Sequence, residues 1–94
     1  MQAIVNGPVL ADSGDIVMVD GNNYFPRASV TQEFFRESDL TTVGGWKGTA
    51  RCRDVVVEDQ VISNAVWAYD TPKPGAESIR ERFAFYRGKG VELR

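Results

Sequence analysis

Strand-forming segments recur at short intervals along the 94 residues, and turn residues separate them. The longest lie at 47–57 and 60–69, are rich in β-branched residues, and are joined by Glu58-Asp59. No helical pattern alternates with these strands, which argues against a parallel α/β sheet. The sequence therefore predicts a mainly β fold, a small antiparallel β domain that is either closed like a barrel or folded on itself.

One segment departs from the strand pattern. A rigid elbow, Asp70-Thr71-Pro72-Lys73-Pro74-Gly75, is followed by Ala76, Ile79 and Phe83 at helical spacing. This predicts one short helix of about two turns near residues 74-82. Glycine and proline are scattered as turn residues and do not form a linker, so we expect residues 1-94 to form a single domain.

The composition excludes several classes of function. The chain has no histidine, which removes the commonest general base, the usual catalytic triads and most zinc ligand sets. Its formal net charge of -2 makes nucleic acid an unlikely partner, and its apolar runs are too short to cross a membrane. We therefore predict no catalytic residue, no metal ligand and no cofactor, and we favour a protein without enzymatic activity.

Cys52 is the only cysteine, so an internal disulfide is impossible and a cytoplasmic location is expected. Neighbouring arginines could lower the pKa of its thiol and make it a nucleophile. In an extended strand, however, Arg51 and Arg53 point away from the sulfur, and no histidine can act as a base. The pattern therefore favours an inert cysteine in the core.

The segment that begins at Gly44 is a further candidate strand. If it is extended from residue 46 onward, its successive side chains point to opposite faces. One face then carries Trp46, Gly48, Ala50 and Cys52, and packs inward. The other carries Lys47, Thr49, Arg51 and Arg53, a cationic row that either binds an extended anion or pairs with carboxylates of the next strand. Pairing is favoured, because a symmetric hairpin about Glu58-Asp59 sets Lys47 near Asp70 and Arg53 near Asn64.

A second group of aromatic residues belongs to the following strand, where Trp67 and Tyr69 share one face. Together with residues from two earlier segments, they give a candidate concave site with a lysine at its rim. The predicted ligand-binding residues are Tyr24, Trp46, Lys47, Trp67 and Tyr69. The competing interpretation is that these aromatic side chains simply fill the core of a small domain.

Four segments, taken in order, resemble a known family. They are Asn23-Tyr24-Phe25-Pro26, Trp46-Lys47-Gly48-Thr49-Ala50, Asn64-Ala65-Val66-Trp67-Ala68-Tyr69 with Pro72 and Pro74, and Phe83-Ala84-Phe85. The set resembles the domain of unknown function 427 family, which also carries a nucleotidyltransferase-like label. The resemblance implies a β-tent-like fold, similar to that of methionine sulfoxide reductase B.

This chain departs from the family pattern in two places. Gly44-Gly45 replaces a Cys-Pro pair that often precedes the tryptophan, and Arg51-Cys52-Arg53 stands where small and aromatic residues are usual. It also has no Cys-x-x-Cys pair, so the metal site of the zinc-bearing β-tent proteins is not expected here.

These observations support three hypotheses about function. The first is a binding module for a small anionic or aromatic ligand. The second is a protein-interaction or homodimer module that uses exposed strand edges and aromatic side chains. The third is a nucleotidyltransferase-like or thiol enzyme. The expected partners are accordingly a small molecule or a second copy of the chain, with no membrane.

Overall fold

The computed structural model describes all residues from 1 to 94. It contains nine strands and three single turns of 3₁₀ helix. The strands are β1 Gln2–Ile4, β2 Val9–Asp12, β3 Val17–Val19, β4 Asn22–Tyr24, β5 Phe35–Val43, β6 Thr49–Val57, β7 Gln60–Ala68, β8 Phe83–Phe85 and β9 Glu92–Leu93. The 3₁₀ turns are Arg27–Ser29, Gln32–Phe34 and Glu77–Ile79.

The strands form three antiparallel sheets. The largest has the order β5-β6-β7-β8, the second has the order β2-β1-β9, and the third is the β3–β4 hairpin. The predicted mainly β, antiparallel fold is confirmed, and the sheets do not close into a barrel. No helix in the structure has the length and apolar character needed to span a bilayer.

The predicted helix near residues 74-82 is shorter than expected, because only Glu77–Ile79 forms a 3₁₀ turn. The chain on its C-terminal side is drawn into extended contacts with the end of β7. Residue 81 donates its backbone N–H to the carbonyl oxygen of Tyr69 at 2.9 Å, and Arg80 forms a bridge with Tyr69. Ala76 and Ile79 are still buried, so the helical spacing did identify the inward-facing residues.

The β6–β7 hairpin follows the predicted symmetric register only next to its turn. Val57 pairs with Gln60 and Val55 with Ile62, as expected, but Arg53 then pairs with Val66. Two extra residues of β7 are accommodated around Asn64, which has a φ of 52° and donates its N–H to Asp54 Oδ1 at 2.8 Å. The prediction that Arg53 lies near Asn64 is therefore wrong, since the bulge shifts the remainder of the strand.

The large sheet is buried on both faces along most of β6, all of β8 and the second half of β7, by two separate clusters. One face packs into a larger core that includes Phe25, Val55, Val66, Phe83 and Phe85. The other packs into a second cluster that we call the aromatic cluster. It consists of Tyr24, Ala50, Cys52, Trp67, Tyr69, Ala76, Ile79 and Ala84. Alternation along β6 explains the division, because even and odd positions point to opposite faces.

The β3–β4 hairpin is tied to the large sheet through Phe25. Its backbone exchanges two hydrogen bonds with Phe83, at 2.8 and 2.9 Å, and its ring packs edge-on against Phe85 with centroids 5.6 Å apart. Both ends of this bridge are fully buried. The bridge holds the hairpin over the face of the sheet that carries the aromatic cluster.

The predicted cationic row does not form. Thr49 and Arg51 are exposed, but Arg53 is only 6% exposed, with its guanidinium 4.7 Å from the centre of the Phe83 ring. Its nearest carboxylate oxygen belongs to Asp70, 4.0 Å away, and its Nη1 has no partner. The loops and strands of the larger core cover this end of the face, which alternation alone does not reveal.

Candidate functional site

The segment that begins at Gly44 turns where the sequence predicted a strand. Gly44 and Gly48 are joined by a backbone hydrogen bond of 2.7 Å, and β6 starts only at Thr49. Gly45 and Gly48 have φ values of 54° and 112°, a conformation that glycine adopts without strain. The expectation that residues 46–48 alternate as a strand is therefore wrong, whereas Ala50 and Cys52 point inward as predicted.

The β3–β4 hairpin brings an acidic residue to this turn. Its two tip residues, Asp20 and Gly21, have φ values of 52° and 78°, as in the tight turns that match the twist of a hairpin. Lys47 Nζ lies 2.8 Å from Asp20 Oδ2. The predicted partner of Lys47, Asp70, lies instead beside Arg53. The difference follows from the turn, because Lys47 does not belong to β6.

An open cavity of about 520 Å³ lies between this hairpin and the sheet. We call it the aromatic cavity. Its lining residues are Asp20, Gly21, Asn22, Thr42, Lys47, Trp67, Tyr69, Tyr86 and Arg87. Aromatic rings therefore form one wall, and charged or polar groups from the hairpin and neighbouring loops form the other. Its volume is within the range of typical small-molecule sites.

Three of the five predicted site residues line this cavity, namely Lys47, Trp67 and Tyr69. Tyr24 lies behind the wall, because it is fully buried and its hydroxyl oxygen accepts a 3.2 Å hydrogen bond from Trp67 Nε1. Trp46 is outside the cavity and 52% exposed. The prediction that Trp46 packs into the core is wrong, because this residue lies in the turn between Gly44 and Gly48. Lys47 Nζ is 5.9 Å from the centre of the Trp46 ring.

Tyr86 and Arg87 are cavity residues that the sequence analysis missed. Trp67 pairs with Ala84 across the β7–β8 ladder, and the Tyr86 ring lies 4.4 Å from the Trp67 ring. Alternation along Phe83-Ala84-Phe85-Tyr86 would have placed Ala84 and Tyr86 on one face. Arg87 follows Tyr86 directly and belongs to a turn sequence, which by itself gave no reason to select it.

The two cations at the cavity have different electrostatic surroundings. Lys47 is neutralised by Asp20, whose pKa is lowered by the hydrogen bond that it accepts from Lys47, while the same bond raises the pKa of Lys47. Arg87 forms no ion pair, and its Nη2 donates only to the carbonyl oxygen of Gly21, at 3.0 Å. The uncompensated positive charge at the cavity therefore belongs to Arg87.

Burial raises the pKa values of three further groups near the cavity. It raises the pKa of the Tyr69 and Tyr86 hydroxyls, so both stay protonated at neutral pH and can donate hydrogen bonds. It also raises the pKa of Cys52, which is fully buried. A thiol in this state is a poor nucleophile, in keeping with the inert core cysteine predicted from the sequence.

The sequence profile of one family, described as a domain of unknown function (DUF427), matches residues 1–93. The chain belongs to the DUF427 family. A comparison with curated proteins found no match. The family identification confirms the resemblance drawn from the four motifs, and those motifs supply Lys47, Trp67 and Tyr69 to the cavity of this DUF427 chain. No group of three or more cysteine or carboxylate side chains is placed to hold a metal ion.

A close approach at Gly44 gives the first prediction for the DUF427 chain. A Cβ atom on Gly44 would overlap the Tyr69 hydroxyl oxygen and lie 3.2 Å from the ring carbon that bears it. We expect Gly44→Ala to lower the free energy of unfolding by about 1–3 kcal/mol, because the tyrosine must move. Urea denaturation measures this change.

The matched variant Tyr69→Phe removes the overlapping oxygen. In a double-mutant cycle, Gly44→Ala should cost clearly less in the Tyr69→Phe background, with a coupling of at least about 0.5 kcal/mol. Additive effects of the two substitutions would show that Tyr69 does not lie against Gly44.

The ion pair at the rim gives a prediction about pH. Because the folded-state pKa of Asp20 lies below its ordinary value of 3.8, the pair stabilises the fold above that pH and loses this effect as the pH falls further. Lys47 has a raised pKa, so the same stabilisation is lost only when the pH rises above 10.5. We expect Asp20→Asn to lower Tm by a constant amount between about pH 5 and pH 9.

Calorimetry as a function of pH measures this difference, which should shrink below pH 3.8. Asp59→Asn is the control, since Asp59 is exposed and forms no ion pair. A Tm difference for Asp20→Asn that persists unchanged in strong acid would contradict the assigned role of Asp20.

Proposed function

We propose that this chain is a binding protein whose ligand is a small aromatic anion held in the aromatic cavity. One observation carries the proposal: a single cavity combines the aromatic wall of Trp67, Tyr69 and Tyr86 with a guanidinium, that of Arg87, whose charge no carboxylate neutralises. Three of the nine lining residues are aromatic and the other six are polar, charged or glycine, so the aromatic wall would supply contact area and the polar groups would orient the ligand.

The two walls would recognise different parts of the ligand. An aromatic ring would pack against the partly exposed Tyr86, behind which Trp67 is fixed by its hydrogen bond to Tyr24. The anionic group would pair with Arg87, because charge-assisted hydrogen bonds from a guanidinium to an oxyanion are strong. The Tyr69 and Tyr86 hydroxyls would donate further hydrogen bonds to the same ligand.

Lys47 has a smaller role in this proposal than the sequence analysis gave it. Its charge is balanced by Asp20, so anion binding at Lys47 would require breaking a 2.8 Å ion pair. The pair instead fixes the tip of the hairpin at the rim of the cavity. A cytoplasmic location, expected because of the single cysteine, remains part of the proposal.

Ligand binding can be tested by thermal shift with phenylacetate, phenyl phosphate and AMP as aromatic anions. Phenylacetamide and inorganic phosphate each lack one of the two features. We expect the aromatic anions to raise Tm and the two controls not to do so. Arg87→Met should weaken binding by about 10- to 100-fold, the equivalent of losing a charged hydrogen bond.

Arg27→Met removes the same charge from an exposed position outside the cavity and should have no effect. Lys47→Met should weaken binding less than Arg87→Met does. The proposal fails if none of the aromatic anions binds, or if phenylacetamide binds as tightly as phenylacetate.

A second candidate function, a homodimer, is favoured by the outer edge of the large sheet. β5 is an edge strand of nine residues. Near its free edge the side chain of Val43 is 79% exposed, and those of Leu40 and Trp46 are about half exposed. Exposed strand edges with apolar side chains are prone to pair with another strand. A second copy of the chain could add its own β5 there.

This candidate predicts a dimer at high protein concentration, measured by light scattering after size exclusion, and its loss in Val43→Lys. Met18→Lys serves as a control, because Met18 is also exposed but lies on the β3–β4 hairpin. A monomer at every concentration would eliminate the homodimer.

The third hypothesis is an enzyme, and we assign no residue of this chain to a catalytic role. Cys52 is inaccessible and its pKa is raised, so the structure gives no support to thiol chemistry. Nucleotidyl transfer rests only on a family label, and no residues are assigned to it here.

A further inference from the structure

A separate cavity, of about 250 Å³, lies where β5, β6 and the elbow after β7 meet. We call it the polar cavity. Its lining residues are Thr41, Thr49, Ala50, Arg51, Asp70 and Thr71. None of them lines the aromatic cavity, which takes Thr42 from β5, because successive residues of a strand point to opposite faces. The two cavities are therefore separate sites that share no residue.

The polar cavity is the uncovered end of the sheet face that packs into the larger core. Ala68 belongs to that core, and Arg51 is its cross-strand partner in β6. On the other side, Arg51 pairs with Thr41 of β5. Arg53, the next residue on the same face, is covered, whereas Thr49 and Arg51 are exposed. Arg51 thus stands on a central strand, in a space that the fold leaves open.

Two opposite charges line the polar cavity without pairing. Arg51 forms no ion pair. The side chain of Asp70 is 47% exposed, and its nearest cation is Arg53 Nη2, at 4.0 Å, which is too far for a hydrogen bond. A guanidinium and a carboxylate that share a cavity and do not meet each other are complementary to a molecule that carries both charges.

The elbow holds the main chain at Asp70 in place. The backbone N–H of Lys73 donates to the carbonyl oxygen of Lys47 at 3.0 Å, which ties the elbow to the glycine turn before β6. Pro72 and Pro74 restrict the backbone on either side of this hydrogen bond. The segments that carry the two charges are therefore preorganised, which lowers the entropic cost of binding.

We infer that the polar cavity binds a small zwitterion, namely an α-amino acid with a short polar side chain. Its carboxylate pairs with Arg51 and its ammonium group with Asp70. Hydroxyls that can both donate and accept hydrogen bonds complete the wall, those of Thr41, Thr49 and Thr71. Ala50 is the only apolar lining residue and the cavity is small, so the side chain of the ligand is short and polar. This inference does not rest on the aromatic ligand proposed above.

The test is an NMR titration of the full chain at neutral pH with L-serine and three related probes. Glycerate has a hydroxyl in place of the ammonium group, serinol has a hydroxymethyl group in place of the carboxylate, and L-leucine has a larger, apolar side chain. We expect L-serine to shift the amides of Arg51, Asp70 and Thr71. It should bind at least about tenfold more tightly than glycerate and serinol, because each of these loses a charge-assisted hydrogen bond, and more tightly than L-leucine.

Two variants and a control sharpen the result. Arg51→Met should weaken L-serine binding at least about tenfold, whereas Arg27→Met, which removes the same charge elsewhere on the surface, should leave it unchanged. Asp70→Asn should remove the preference for L-serine over glycerate and keep the preference for L-serine over serinol. A change in stability alone would not produce this selective loss.

The inference is overturned if the unsubstituted chain binds L-serine no more tightly than glycerate, or no more tightly than serinol, or shows no saturable shifts at about 50 mM. It is also overturned if the shifts fall on Lys47, Trp67 and Tyr69, since that would assign the probe to the aromatic cavity. These outcomes are measured on the unsubstituted chain, so they do not depend on whether a variant folds.

Discussion

The paired backbone hydrogen bonds between Phe25 and Phe83 are the constraint on which the candidate site depends. The β3–β4 hairpin forms its own two-stranded sheet, and isolated hairpins are only marginally stable in water. By joining β4 to β8, this buried bridge fixes the hairpin over the aromatic cluster. Asp20 and Asn22 thereby become part of the wall of the aromatic cavity, which neither the hairpin nor the large sheet could form alone.

The large sheet serves two purposes because both of its faces are covered. The face that carries Val55 and Phe83 packs into the larger core and supplies much of the apolar burial. The opposite face supports the aromatic cluster, where Tyr24 holds Trp67 through an edge-on contact and a hydrogen bond. A rigid support of this kind keeps the cavity side chains in fixed positions, which lowers the entropic cost of binding.

The arginines and lysines of the chain differ in how far a nearby carboxylate neutralises their charge. Lys47 is paired with Asp20 at the rim, and Arg53 is buried against Phe83 with a distant carboxylate. Arg87, which the sequence analysis did not select, lines the aromatic cavity and forms no ion pair. The groups that lie around a basic residue in the fold therefore decide whether it is a candidate for binding an anion. The spacing of that residue along the chain does not show which groups these are.

The sequence by itself determined the β class, the inward direction of Ala50 and Cys52, and the grouping of Lys47, Trp67 and Tyr69, which line one cavity. These features follow from period-two alternation and from turn residues, both of which are local. Tertiary structure alone decided that Trp46 is exposed, that Arg53 is buried, and that Tyr86 and Arg87 complete the cavity. Those outcomes depend on a two-residue bulge at Asn64, on a glycine turn that delays the start of β6, and on distant contacts such as that between Arg87 and Gly21, 66 residues apart. Such contacts are set by the packing of the whole chain, which no short stretch of sequence encodes.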